Sequence, residues 1–231
     1  MPSRAPVSNL GWGPLPCPDP SGDDGAVGTR QRFRGRIAGV GSTSGVRVVV
    51  GWWHESPFGP FADAMIERAD GHRILVAPTE QVRDLVATTY VFDETRVEPL
   101  SVAAGGSAGT RWVVQSSSLS LRLDVGGRMP VGHLLRLVPR GVAQSPAFAT
   151  LADPVARLAM RGVRTRGMAR AGRREFYGAT DLRGVTWLAG ALDGIPLGDL
   201  APVDPACRFW FSSTPRRPSV TDVVTTIVET T

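Results

Sequence analysis

The sequence predicts an α+β protein made mostly of antiparallel β-strands, in a barrel-like or double-sheet arrangement with about two helices. Roughly ten to twelve short segments alternate apolar with polar residues or are rich in β-branched residues, as strands are. Most of them are separated by short turns that contain glycine, aspartate or proline. Parallel strands need a long crossover connection, so these short turns favour antiparallel pairing.

Length and composition are those of a chain that can bury a core. The protein has 231 residues, of which 42% are hydrophobic. We expect a disordered tail over residues 1–28, which are rich in proline, glycine and aspartate, followed by one β-rich domain over 29–231. No signal peptide is visible, and no apolar run approaches the roughly 20 residues of a membrane helix. A cytoplasmic protein without a membrane partner is the expectation.

The first half of the predicted domain combines strands with one helix. Arginines alternate over 30–36, which places all four on one face of a strand, and a glycine-rich turn at 39–45 leads into a strand at 46–53. Strands at 61–68 and 72–76 flank the hairpin sequence Asp70-Gly71. A helix follows over 79–89, with Thr79 as its cap. Further strands are predicted at 95–102, 112–115, 119–125 and 131–138.

The second half is predicted to begin with a helix at 145–162, interrupted or restarted near Asp153-Pro154. Strands are predicted to follow at 163–168, 173–179, 185–192, 208–212 and 220–228. Polar turns at 181–184 and 193–194 separate three of them.

The basic charge of the chain comes from arginine alone. The formal net charge is +5 and the chain contains no lysine, which excludes lysine Schiff-base chemistry and a P-loop. Seven arginines and no acid occur between residues 157 and 174. This segment lacks interleaved aromatic residues for base stacking, so a solvated surface is favoured over nucleic-acid binding.

Sequence motifs give no support for a cofactor or a metal ion. The glycines at 39–45 have the wrong spacing for a dinucleotide fingerprint and precede a strand. The central residue of Gly41-Ser42-Thr43-Ser44-Gly45 is Thr43, so no serine nucleophile elbow is present. The three histidines lack metal-ligand spacing. We therefore predict neither cofactor nor metal.

An aromatic stretch from residue 52 to residue 61 is the first candidate site. Trp52, Trp53, Phe58 and Phe61 surround a rigid proline- and glycine-containing loop, with His54 beside them. One interpretation assigns these aromatic residues to the core and an edge of the sheet. The functional interpretation is a pocket mouth, where the aromatic residues bind a ligand and His54 exchanges protons.

Acidic and basic residues on predicted strands complete the candidate site. Glu67 shares a strand face with Asp63 and Met65, and burial of that face would bury an ionisable group that needs a partner. Arg68 is predicted to hold an anion, although a solvent-facing salt bridge is the commoner arrangement. Glu67, Glu175 and Tyr177 are, with His54, the candidates for proton exchange.

Several motifs resemble a family of uncharacterised proteins from high-GC actinobacteria. They include Ser56-Pro57-Phe58-Gly59-Pro60-Phe61, Arg174-Glu175-Phe176-Tyr177 and Pro215-Arg216-Arg217-Pro218. The resemblance covers roughly residues 30–220 and implies no activity.

A second resemblance concerns the fold. The segment Gly194-Ile195-Pro196-Leu197-Gly198-Asp199-Leu200, with Pro202-Val203 and the strands around them, is similar to the C-terminal region of acetoacetate decarboxylase-like proteins. That resemblance implies a β-rich fold with a cavity inside a double-sheet cone. The decarboxylases use a lysine Schiff base, so the missing lysine separates the fold from that chemistry.

Two functions follow as hypotheses. The first is a small-molecule-binding protein with an internal cavity, acting without a cofactor as an isomerase, cyclase or lyase on a carbonyl- or carboxylate-bearing compound, or binding it without catalysis. The alternative is a non-enzymatic protein that binds nucleic acid or an acidic partner through the arginines of 157–174. Substrate identity and homo-oligomer formation are left open.

Overall fold

The computed structural model describes residues 30–139, 166–170, 173–209 and 214–229, with 166–170 and 173–175 described by their backbone alone. The strands in these ranges are β1 Arg30–Ser42, β2 Arg47–Glu55, β3 Phe61–Glu67, β4 Arg73–Ala77, β5 Glu94–Val97, β6 Ser101–Gly105, β7 Arg111–Gln115, β8 Leu119–Arg128, β9 Arg166–Arg170, β10 Arg173–Leu192, β11 Ile195–Pro196, β12 Leu200–Ala201 and β13 Ser219–Glu229. The helices are α1 Glu80–Thr89 and α2 Pro130–Leu135, with a 3-10 turn at Ser107–Gly109.

All described strands belong to one curled sheet. Its order is β5-β4-β3-β2-β1-β13-β10-β8-β7-β6, while β9 and β11 pair with β10 and β12 pairs with β1. Ile66 on β3 and Leu121 on β8 lie far apart in this order but belong to the same buried cluster, so the sheet curls around them into a half-barrel. The predicted fold class, mostly antiparallel β with two helices and a barrel-like sheet, is confirmed.

The convex face of the sheet is covered in part by α1 and by the segment 202–209. Val203, Cys207 and Phe209 pack on Val49 of β2, and Val82 of α1 packs on β4. Strand β3 is therefore buried on both faces. One face carries Ala64 and Ile66, and the other carries Asp63 and Glu67. The expectation that this strand buries an ionisable group is confirmed.

Several elements that local sequence signals predicted are present in the structure. The Thr79 side chain accepts a hydrogen bond from the Val82 backbone N–H at 3.3 Å, as a helix cap should. Gly71 has φ +89° in the turn between β3 and β4, a conformation that favours glycine. The strand predicted at 119–125 is confirmed as part of β8, in which the alternate residues Leu119, Leu121 and Leu123 are buried.

The strand predicted at 131–138 is wrong, because α2 begins at Pro130. Proline suits a first helical turn since its missing N–H would have no partner there. Helix α2 packs closely on β10: a Cβ added at Gly132 would lie 2.3 Å from the Leu182 carbonyl oxygen. The glycine thus permits a contact that a strand pattern does not predict.

The predicted turn at 181–184 is also wrong, because β10 continues through it. Asp181 stays in the strand because Arg128 of β8 donates two hydrogen bonds to its carboxylate, at 2.7 and 2.9 Å. Strand β1 likewise runs on to Ser42 instead of turning at Gly39. The segment predicted as one strand at 95–102 is divided into β5 and β6.

Strands β4 and β5 are parallel, an exception to the predicted antiparallel pairing. Helix α1 lies between them in the chain and supplies the crossover that parallel strands need.

The predicted strand at 208–212 is absent over 208–209, and its remainder lies outside the described residues. The predicted tail 1–28 and the helix 145–162 also lie outside them, so the domain boundary stays a prediction. Neither described helix is long and apolar enough to span a membrane.

Candidate functional site

The two tryptophans of the predicted aromatic site lie on opposite faces of β2. Trp52 points into the concave side, where its ring is 5.1 Å from Trp112 and 4.7 Å from the exposed His54. Trp53 lies on the convex side, 5.9 Å from Phe33 and 6.3 Å from Phe61. Because strand residues alternate between faces, the predicted aromatic residues cannot line a single pocket.

A narrow pocket opens on the convex side, between the sheet and α1. Its volume is about 60 Å³. Its lining is mostly apolar and comes from five strands, α1 and the residue that follows α1. The lining residues are Phe33, Ile37, Val49, Gly51, Trp53, Phe61, Asp63, Met65, Leu85, Val86, Thr89, Tyr90, Tyr177, Thr225 and Ile227. On the concave side the described residues form the main apolar core, and the internal cavity expected from the sequence stays a prediction.

Asp63 is the one carboxylic acid among the described residues that line this pocket. It is 5% exposed, and the Trp53 indole Nε1–H donates to its Oδ1 at 2.9 Å. No other described residue donates a hydrogen bond to it. Gly51, its neighbour on β2, leaves the room for this contact, since an added Cβ would lie 2.4 Å from Asp63 Oδ1 and 2.6 Å from the indole nitrogen.

Burial changes the chemistry of this acid. Loss of hydration raises the pKa of Asp63 from 3.8 to about 7, and the hydrogen bond from Trp53 opposes only part of that rise. The acid and its carboxylate are therefore both populated near neutral pH. A buried carboxyl group with a pKa near the working pH can both donate and accept a proton.

Other polar groups converge on the same pocket. The hydroxyls of Tyr90 and Tyr177 are hydrogen-bonded to each other. The Thr225 hydroxyl oxygen is buried and has no hydrogen-bond partner in the described structure. An apolar cleft with a few convergent polar groups is the usual form of a small-molecule site.

Three of the predicted site residues line this pocket, and a fourth lies near it. Trp53, Phe61 and Tyr177 are lining residues. Phe58 contacts Phe33 at a ring distance of 6.3 Å but does not line the cavity.

Glu67 lies apart from the pocket and has a structural environment. Its carboxylate is fully buried and accepts from Arg47 at 2.9 Å and from the Arg208 backbone N–H at 2.7 Å and Nε at 3.1 Å. These contacts tie the segment 202–209 to β3. These contacts and its complete burial give Glu67 a structural role, and its role in proton exchange stays a prediction.

Three of the remaining predicted residues, Arg68, His54 and Trp52, are not brought together with Asp63. Arg68 pairs with Asp193 at 2.9 Å in a partly exposed contact. His54 and Trp52 lie on the concave side, as described above. Glu175 lies in β10, but its side chain is outside the described residues.

Asp63 itself was not among the predicted site residues, although the sequence contained a signal for it. It is a single acid between Ala62 and Ala64, in a strand whose two faces carry apolar neighbours. In a strand that is buried on both faces such an acid is itself buried, so it must either be paired with a cation, as Glu67 is, or have a raised pKa. Within the described ranges, no three His, Cys, Asp or Glu residues are placed to hold a metal ion.

Comparisons with known proteins leave both sequence resemblances as predictions. No family model matches the chain, and no curated protein matches it significantly. One solved structure, of a protein assigned as AttH from Nitrosomonas europaea, aligns over 95% of this chain at 9% identity with a TM-score of 0.26. The alignment spans 58% of that protein's length. At this TM-score the likeness supports no argument about function.

Proposed function

We propose that the protein binds a small, neutral, largely apolar molecule that carries a carbonyl oxygen, with Asp63 as the group that exchanges a proton with it. The observation that supports this proposal is the buried Asp63 carboxyl in the aromatic pocket, with a pKa of about 7. When protonated, Asp63 can donate a hydrogen bond to a carbonyl oxygen. When ionised, it can accept a proton from the carbon beside that carbonyl.

The pocket favours a neutral ligand over a carboxylate-bearing one. Among the described residues, no arginine or histidine lines it, so the described lining offers an anion no counter-charge. The ionised form of Asp63 would also repel an anion. Of the carbonyl- and carboxylate-bearing compounds expected from the sequence, the proposal therefore keeps only the first class.

The chemistry that these side chains permit is proton transfer next to a carbonyl group. The Asp63 carboxylate takes a proton from the α-carbon, and the electron pair of that C–H bond moves into the enolate. Return of the proton at the same or a different carbon completes an isomerisation, with no electrons lost and no cofactor needed.

Cyclopentanone and cyclopentanecarboxylate are matched probes for this proposal. Saturation-transfer NMR is expected to show saturable binding of the ketone and weaker binding of the acid near pH 7. In D2O, the wild-type protein is expected to accelerate hydrogen–deuterium exchange at the α-carbons of the ketone. Asp63→Asn is expected to exchange at the buffer rate, and the exposed control Asp84→Asn at the wild-type rate.

Two results would overturn the proposal in different ways. Absence of saturable ketone binding, or tighter binding of the carboxylate, would contradict the ligand class. Equal exchange rates for the wild type and Asp63→Asn would contradict the role of Asp63. Native mass spectrometry of protein purified from its own host would then test for a retained ligand.

Nucleic-acid or acidic-partner binding by the arginines of 157–174 stays a prediction, because these side chains lie outside the described residues. Such binding would weaken steeply with salt and would be lost on neutralising Arg164, Arg166, Arg173 and Arg174.

A further inference from the structure

A cluster of charged side chains lies on the concave face, at one end of the half-barrel. Arg36 of β1 pairs with Asp222 of β13 at 2.9 Å. Arg128 of β8 pairs with Asp181 of β10 at 2.7 Å, and the guanidinium of Arg183 is 3.9 Å from the same aspartate. We call these five residues the mouth cluster.

The mouth cluster borders a cavity of about 110 Å³. Trp112, Val125 and Val220, which belong to the main core, form its apolar part. Arg36 and Arg183, with their aspartate partners, supply its charged lining. The cavity is separate from the Asp63 pocket, because it lies on the opposite face of the sheet.

The arginines of the mouth cluster have more hydrogen-bond donors than its aspartates use. Arg36 contacts Asp222 through Nε, which leaves its two terminal nitrogens without a partner among the described residues. Arg183 makes only the long 3.9 Å contact and no described hydrogen bond. Three arginines against two aspartates leave one positive charge uncompensated within the cluster.

We propose that the mouth cluster binds a small oxyanion, a phosphate or carboxylate group, between Arg36 and Arg183. The planar guanidinium fork matches the paired oxygens of such groups, and the unused donors of both arginines border the same cavity. Arg128 and Asp181 are 17% and 14% exposed, and their two-point pairing fixes the aspartate beside Arg183. This site does not depend on the function proposed for the Asp63 pocket.

Inorganic phosphate and acetate, titrated separately at constant ionic strength near pH 7, test the proposal and distinguish the two anion classes. Binding is measured by isothermal titration calorimetry and by the shift of the melting temperature. At least one of the two anions is expected to bind saturably. Arg183→Gln is expected to weaken that binding about ten-fold or more, since it removes a charged donor.

Two further variants separate anion binding from changes in stability. Asp222→Asn removes a negative charge and frees Arg36, so it is expected to strengthen anion binding. Arg122→Gln alters an exposed arginine that lines a groove outside the mouth cluster, and it is expected to bind as the wild type does. Asp63→Asn is also expected to leave the anion affinity unchanged.

The proposal is overturned if neither anion binds saturably to the wild-type protein. It is equally overturned if Arg183→Gln and Arg122→Gln bind the anion alike, or if Asp222→Asn weakens binding as much as Arg183→Gln does. Opposite changes for Arg183→Gln and Asp222→Asn would support it, because loss of stability alone would change both in the same direction.

Discussion

Replacement of Asp63 by asparagine should remove a pH dependence from the stability of the protein. Asparagine has nearly the same shape, and its carbonyl oxygen can still accept the hydrogen bond from the Trp53 indole N–H. It cannot ionise. The variant therefore keeps the packing of the pocket and loses only the buried titratable group.

The size and sign of the effect follow from the raised pKa. Folding raises the pKa of Asp63 from 3.8 to about 7, so the folded state binds more protons than the unfolded state between these pH values. The free energy of unfolding therefore falls as the pH rises through this window, and it levels off above about pH 7. A shift of about 3 pKa units corresponds to a total of about 4 kcal/mol, of which roughly 2.5 kcal/mol is expected between pH 5 and pH 8.

Urea unfolding at several pH values between about 5 and 8, followed by tryptophan fluorescence, measures how the free energy of unfolding changes with pH. The difference in stability between Asp63→Asn and the wild type is expected to increase with pH in favour of the variant. Contributions from the rest of the chain are common to both proteins and cancel in the difference. Asp84→Asn, which removes an exposed carboxylate from α1, should follow the wild type. Parallel profiles for the wild type and Asp63→Asn would refute the raised pKa.

Three further substitutions test the surroundings of the two sites. Gly51→Ala places a Cβ 2.4 Å from Asp63 Oδ1, so it should cost about 1–3 kcal/mol in urea unfolding; an unchanged stability would contradict the tight fit. Glu67→Gln leaves a buried arginine without its charged partner and should cost about 3–5 kcal/mol, whereas a loss below 1 kcal/mol would mean that the pair is dispensable. The pKa of Asp181 is lowered chiefly by its hydrogen bonds from Arg128. Arg128→Gln should therefore raise that pKa toward its ordinary value, so that the stability from this carboxylate is lost at a higher pH on acidification. A carboxyl NMR titration that shows no change would contradict this.

The parts of the fold that local chemistry determines were predictable from the sequence. The cap at Thr79, the turn at Asp70-Gly71 and the alternating leucines of β8 each depend on neighbours within a few residues. Strand β10 was divided in the prediction because 181–184 carries polar residues. Those residues stay in the sheet through a contact with Arg128, which is more than fifty positions away in the chain. No local pattern contains that information.

The candidate site was predictable only in part. Period-two alternation already implies that Trp52 and Trp53 face opposite sides, so the aromatic stretch could have been divided between two surfaces from the sequence alone. The same alternation places Asp63 and Glu67 on one face of their strand. Which of the two acids is paired depends on contacts across the fold, because Arg47 of β2 and Arg208 of the segment 202–209 meet Glu67, whereas no described cation contacts Asp63. That difference belongs to tertiary structure.

Strand β10 contributes to both proposed sites because a bulge reverses the faces of its residues. Tyr177 pairs with Thr225 of β13 on the convex side, where both line the Asp63 pocket. The register shifts between Ala179 and Asp181, so Asp181 pairs with Asp222 and joins the mouth cluster on the concave side. Without the extra residue, strict alternation would place Asp181 on the same face as Tyr177. A second acid near the Asp63 pocket would repel the ionised form of Asp63, and the mouth cluster would lose the partner of Arg128. The bulge therefore keeps the lowered-pKa carboxyl of Asp181 on the face of the sheet opposite to the raised-pKa carboxyl of Asp63, which is why we expect the two sites to respond independently to substitution.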